Sequence, residues 1–141
     1  MRRLLLVAAL IALMSLPVAA QSPKSYSCEV ANVYGLSDSG VLQPSVGLGR
    51  TGDRFQINVR TGEMTGSPVF SSSHWARTTV LDSGTSPGGS FLKIMYSSPS
   101  SNGEFMIVGY LVIQGTIEEP SRPFLFQVAA ELYSGVCVVA F

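Results

Sequence analysis

The sequence predicts an all-β fold: a small antiparallel meander closed as a barrel, with a two-sheet sandwich as the alternative. Three observations carry this. Residues 53–66 read Asp-Arg-Phe-Gln-Ile-Asn-Val-Arg-Thr-Gly-Glu-Met-Thr-Gly. Phe55, Ile57 and Val59 alternate with Gln56, Asn58 and Arg60, and a period of two is the pattern of a half-buried strand. Short β-branched and aromatic runs recur between turn signals roughly every 8–12 residues, enough for about seven to nine strands. No segment between Gln21 and Pro123 has a helical period.

The chain opens with an address. Met1-Arg2-Arg3 is basic, Leu4 to Met14 is unbroken apolar, and Val18-Ala19-Ala20 offers small residues before Gln21. This is the layout of a cleavable signal peptide over residues 1–20, and its apolar run is shorter than the ~18 residues a bilayer span needs. The expected product is secreted, to the periplasm in a Gram-negative cell, with no stable membrane anchor after cleavage. Residues 21–25 form a loose leader and 26–141 a single domain with one core. Arg2 and Arg3 leave with the signal, so seven basic residues face nine acidic ones, a formal charge of −2. That is too weak and mixed to argue for nucleic acid.

Tyr26, Cys28 and Val30 alternate with Ser27 and Glu29 as the first strand, and Val41-Leu42-Gln43 is a short second one stopped by Pro44. Gly47–Gly52 is a loop into the central hairpin, where Thr61-Gly62 turns the chain and Gly62 supplies a positive φ. Val69-Phe70 is expected to close its return arm. Arg77–Leu81 and Phe91–Tyr96 are further strands. Phe105–Gln114 is apolar on both faces and reads as a central strand buried on both sides or lining a barrel interior. Pro120-Ser121-Arg122-Pro123 reads as a turn. In residues 124–133, Phe124, Phe126, Val128, Ala130 and Leu132 alternate, but Phe124, Val128 and Leu132 also fall four apart; strand is favoured and a short C-terminal helix is the alternative.

Cys28 and Cys137 are the two cysteines. In an exported chain an even count reads as a disulfide, here joining the first strand to the last. A closed meander would make those strands neighbours, which favours the barrel. An immunoglobulin-type sandwich places its cysteines inside the fold with a Trp between them. The spacing excludes a C-x-x-C redox pair, and a single histidine leaves no ligand set for zinc; no metal or cofactor is expected.

Gly47-Leu48-Gly49-Arg50-Thr51-Gly52 matches G-x-G-x-x-G but precedes a strand, whereas a dinucleotide fingerprint opens a helix. Gly84-Thr85-Ser86-Pro87-Gly88 matches G-x-S-x-G, yet Pro87-Gly88-Gly89 opens a helix poorly and the only histidine precedes the serine, against the order of a hydrolase triad. No nucleophile and base pair up, so the chain is not expected to be an enzyme. His74 and Trp75 are either the rim of a ligand mouth or, more simply, an exposed His beside a Trp folded inward to plug a barrel end. Arg54 and Arg60 are either an anion site or an ordinary charged outer face.

The Tyr26-Ser27-Cys28 start, the 55–66 hairpin and the Gly135-Val136-Cys137 end together resemble a largely uncharacterised group of small exported bacterial β proteins. In that group a terminal cysteine pair brackets a hairpin of pattern F-x-V-D-R-x-T-G-x-M-x-G. This chain has Asn58 and Val59 where the pattern has Asp and Arg. The resemblance implies fold and export and no activity. A looser likeness is to periplasmic lysozyme inhibitors, small barrels with a Tyr-x-Cys strand, whose inhibitory segment is not recognisable here. Two binding roles follow: an interaction protein, inhibitor-like, acting on a protein partner through exposed loops such as Ser71–Trp75 and Ser97–Gly103, or a carrier holding a small apolar ligand between Phe55, Ile57, Val59, Phe105, Ile107 and Leu111.

Overall fold

Alternation builds the wall of this protein. The computed structural model describes residues 25–84, 91–115 and 119–140. The expected signal peptide and leader up to residue 24 and the Thr85–Gly89 part of the G-x-S-x-G loop lie outside them. The strands are β1 (Ser25–Leu36), β2 (Leu42–Pro44), β3 (Arg54–Asn58), β4 (Met64–Gly66), β5 (Arg77–Ser83), β6 (Phe91–Pro99), β7 (Met106–Gln114), β8 (Ser121–Val128) and β9 (Glu131–Ala140). They form one antiparallel sheet in the order β4-β3-β1-β9-β8-β7-β6-β5, with β2 paired to β1. The sheet curls into an open half-barrel, so the sandwich alternative does not apply.

β5 to β9 are a plain meander, and β1 docks beside β9 to bring the chain's first strand against its last. Cys28 stands opposite Cys137 in that register. Their Cα atoms are 3.9 Å apart and the two sulfurs are bonded. In β1 the buried residues are Tyr26, Cys28, Val30 and then Val33. The switch from even to odd numbers is the work of a bulge between Val30 and Asn32, which adds one residue and turns the strand's next apolar side chain back inward.

β4 and β5 end the sheet, and the chain bridges this seam through two 3₁₀ turns, Pro68–Phe70 and Ser72–His74. Val69-Phe70 therefore does not extend the hairpin's return arm. Pro68 starts a 3₁₀ turn that drops Phe70 into the core, parallel to the Phe55 ring at 4.4 Å. Aromatic contacts continue through the interior: Phe124 against Phe55 at 5.2 Å, Phe126 against Phe70 at 5.7 Å, Tyr96 against Phe126 at 5.9 Å, and Trp75 against Tyr96 at 5.7 Å. Phe55, Ile57, Val59 and Leu111, expected around an interior ligand, are buried in this core, whereas Phe105 is 62% exposed.

Two more expectations are corrected and one open alternative is decided. β7 is not buried on both faces: Gly109, Leu111 and Ile113 point inward, while Met106, Val108 and Tyr110 are exposed on the outer face among the described residues. In residues 124–133 the favoured strand reading holds and the helical alternative does not. β8 and β9 are a hairpin with Val128 opposite Glu131, turned by Ala129-Ala130 with Ala129 at φ 49°. Arg122 is not in a turn; it is the first inward residue of β8 and only 4% exposed. Pro123 fits beside it because the β7 ladder stops at Ile113 and Phe124, one residue short of the missing N–H.

Candidate binding cleft at the Trp75 end

The sheet's registers gather one set of connections at one end of the half-barrel: the start of β5, the β6–β7 turn and the β8–β9 turn. Trp75 lies there. Its ring packs on Tyr96 and meets Phe126 edge to face at 6.5 Å. Gly109 of β7 leaves the room, since a Cβ there would come within 2.9 Å of the indole. Trp75 is half-buried, its Nε1 has no hydrogen-bond partner among the described residues, and His74 is exposed. An inward Trp beside an exposed His is the arrangement of the plug reading.

Around them lies a half-open cleft of about 550 Å³. Pro68, Val69, His74 and Trp75 come from the seam-crossing segment; Ser98, Pro99, Ser101 and Ile107 come from β6, β7 and the turn between them; Leu48 and Val128 complete the lining. A volume of this size is within the range of small-molecule sites. Two other concavities, of about 470 and 380 Å³, lie on the outer face around Glu29–Arg54 and around Gly135.

Leu48 is held over the cleft by the glycine-rich loop. The Glu131 carboxylate accepts hydrogen bonds from the Leu48 N–H (3.4 Å) and from the Tyr133 hydroxyl, which in turn accepts from the Gly49 N–H at 3.3 Å. A Cβ on Gly47 would collide with that carboxylate and one on Gly49 with the Tyr133 ring. The G-x-G-x-x-G match therefore has a packing cause. The Leu48 and Gly49 N–H groups serve Glu131 and Tyr133, that of Arg50 serves Asp53 and that of Gly52 serves the Val30 carbonyl. Burial, with the bond to Glu131, pushes the Tyr133 phenol well above its ordinary pKa.

The two arginines do not meet. Arg54 begins β3 and pairs with Glu29 directly opposite on β1, Nε to Oε2 at 2.9 Å, with both side chains largely exposed. Arg60 lies past the far end of β3, where its N–H and that of Thr61 donate to the Asn58 side-chain oxygen. Asn58 thus holds the turn that follows β3. Neither arginine lines the cleft.

Arg122, whose strand is disguised in the sequence by flanking prolines and a serine, does not line the cleft. Its guanidinium lies 5.1 Å from the centre of the Tyr26 ring and Nη1 donates to the Tyr26 hydroxyl, while Nε and Nη2 have no partner among the described residues. Burial raises the Tyr26 phenol pKa against the opposing pull of this cation. No cluster of three or more His, Cys, Asp or Glu side chains suited to a metal occurs among the described residues. Among them, too, no helix is long and apolar enough to cross a membrane. The disulfide suits an oxidising, non-cytoplasmic compartment. Comparison with protein-family models, with curated proteins and with solved structures finds no match.

Proposed function

We propose that this chain is an exported, non-enzymatic β-barrel protein that binds its ligand in the cleft at the Trp75 end. One observation carries the reading: a half-open apolar cleft of about 550 Å³ built from Trp75, Val69, Ile107 and Val128, with His74, Ser98 and Ser101 adding polar side chains to the described lining. Export is supported by the layout of residues 1–20 and by the Cys28–Cys137 bond. The non-enzymatic part is supported by the chain having one histidine, which stands on the exposed rim. Trp75 is the only tryptophan, so its emission reports on the cleft without labelling. Titration with a neutral aromatic dye is expected to quench Trp75, and Ile107→Phe, which fills the cleft, is expected to weaken binding about tenfold or more. A dye that leaves Trp75 unchanged would remove the cleft as the binding site.

A second reading, an inhibitor-like protein that docks on a partner, is favoured by one different observation. Val108, Tyr110, Leu125, Val136 and Val138 are 37–48% exposed on the outer face of three adjacent strands. Sedimentation velocity checks its simplest form: self-association abolished by Leu125→Lys supports it, and a monomer at all concentrations removes that form.

A further inference from the structure

We infer that the Trp75 cleft selects neutral ligands with an apolar body and discriminates against ionised ones, an inference that rests on the cleft being the binding site. Among the described residues no Asp, Glu, Lys or Arg lines it, and the one lining side chain able to carry charge is His74, on the rim. Glu131, whose carboxylate accepts from the Leu48 N–H and the Tyr133 hydroxyl behind the loop, is not part of the lining. Arg77 follows Trp75 by two residues but is not part of the lining. A charged group carried into the apolar wall of Val69, Trp75, Ile107 and Val128 would lose water without gaining a counter-ion, which is the costly case. A neutral aromatic or aliphatic body loses nothing there and gains apolar contact.

The rim points to the same class of ligand. Leu48 contributes to the lining although 84% of it is exposed. A bound apolar body would cover that side chain, which otherwise stands in water on a loop tied down at Glu131 and Tyr133. Ser98, Ser101 and His74 offer hydrogen bonds to a hydroxyl, carbonyl or amide at the ligand's polar end.

The test uses two dyes with the same pair of ring systems, neutral N-phenylnaphthylamine and its charged relative anilinonaphthalene sulfonate, added to the disulfide-bonded protein and followed by quenching of Trp75. The neutral dye is expected to bind at least roughly tenfold more tightly. His74→Lys, which sets a fixed cation on the rim, is expected to move the affinity ratio several-fold towards the sulfonate. Equal or tighter binding of the sulfonate to the wild-type protein, with Trp75 quenched, overturns the inference and leaves the cleft standing as the site. A ratio that His74→Lys does not move places the dye elsewhere and overturns it too. If neither dye quenches Trp75, the cleft itself fails.

Discussion

The Tyr96 hydroxyl donates a 2.7 Å hydrogen bond to the Gly62 carbonyl oxygen, and with it β6 grips the central hairpin across the unpaired seam of the sheet. β6 is next to last at one edge and β3–β4 form the other, so this contact joins the two ends of the strand order. Gly62 permits it twice over. Its φ is 73°, and a Cβ would lie within 2.8–3.1 Å of Thr78, Ile94 and Val80 side-chain carbons. The hairpin turn therefore meets β5 and β6 across the open seam through side-chain contacts rather than by extending the ladder.

Removing that bond leaves a buried carbonyl without its donor. Tyr96→Phe is expected to cost about 1–3 kcal/mol in urea unfolding. Gly62→Ala combines left-handed backbone with a steric clash and is expected to cost about 2 kcal/mol or more. If both variants unfold at the wild-type midpoint, the seam is not closed by this contact.

High pH attacks the same element. Burial raises the phenol pKa of Tyr96 and of Tyr133 well above the ordinary value, and that of Tyr26 in the same direction. A folded pKa above the unfolded one means stability that is complete below the unfolded value and declines as pH rises beyond it. Unfolding free energy is thus expected to be insensitive to these groups below about pH 10 and to fall above it. Phenolate absorbance followed together with circular dichroism checks this: the three buried tyrosines should ionise only as the fold is lost. Ionisation of all five tyrosines in one step with the fold intact would contradict their burial.

The Cys28–Cys137 bond closes a loop with a sequence separation of 109 residues and fastens β1 to β9 at the point where the meander meets its own beginning. Reduction, or replacing both cysteines by Ala, is expected to cost about 2–5 kcal/mol. Because β1 is also paired to β3 and to β2, the reduced protein is expected to keep its strand order at low denaturant and lose stability rather than topology. Alkylation of unreduced native protein should label neither cysteine, by mass; labelling of both would refute the bond.

Strand positions were legible wherever one face alone is apolar. Tyr26, Cys28 and Val30, or Phe55 and Ile57, declare both their period and their inward face. β7 misled because Met106, Val108 and Tyr110 are as apolar as Leu111 and Ile113, and periodicity cannot tell an uncovered apolar face from a buried one. Arg122 misled in the opposite sense: a charged residue between Ser121 and Pro123 imitates a turn, and only the Tyr26 ring and hydroxyl in front of it show why it faces inward. His74 and Trp75 were legible as a pair, since the chain's single tryptophan in a serine-rich segment needs a place to go. The cleft around them was not. Leu48, Ile107 and Val128 come from three distant segments, and only the sheet's register brings those segments to one end.

The β8–β9 turn was hidden for a related reason, and it supplies a sharp test. Ala129-Ala130 carries none of the Gly, Asn or Asp chemistry of a two-residue hairpin loop, so the sequence reads as continuing helix or strand. In the fold, Val128 pairs with Glu131, leaving two residues to reverse the chain, and Ala129 takes a φ of 49° with its side chain exposed. An L residue with a Cβ pays roughly 1–2 kcal/mol there. Ala129→Gly removes that strain but adds freedom to the unfolded chain, an opposing effect of about 0.4–1 kcal/mol. The net expectation is a gain of up to about 1 kcal/mol. Ala129→Val, with a β-branched side chain in the same conformation, should instead lose stability. Urea midpoints for the two variants decide the matter. A loss with Gly would mean that the hairpin turns elsewhere, and the register that brings Val128 to the cleft and Glu131 to Leu48 would shift with it.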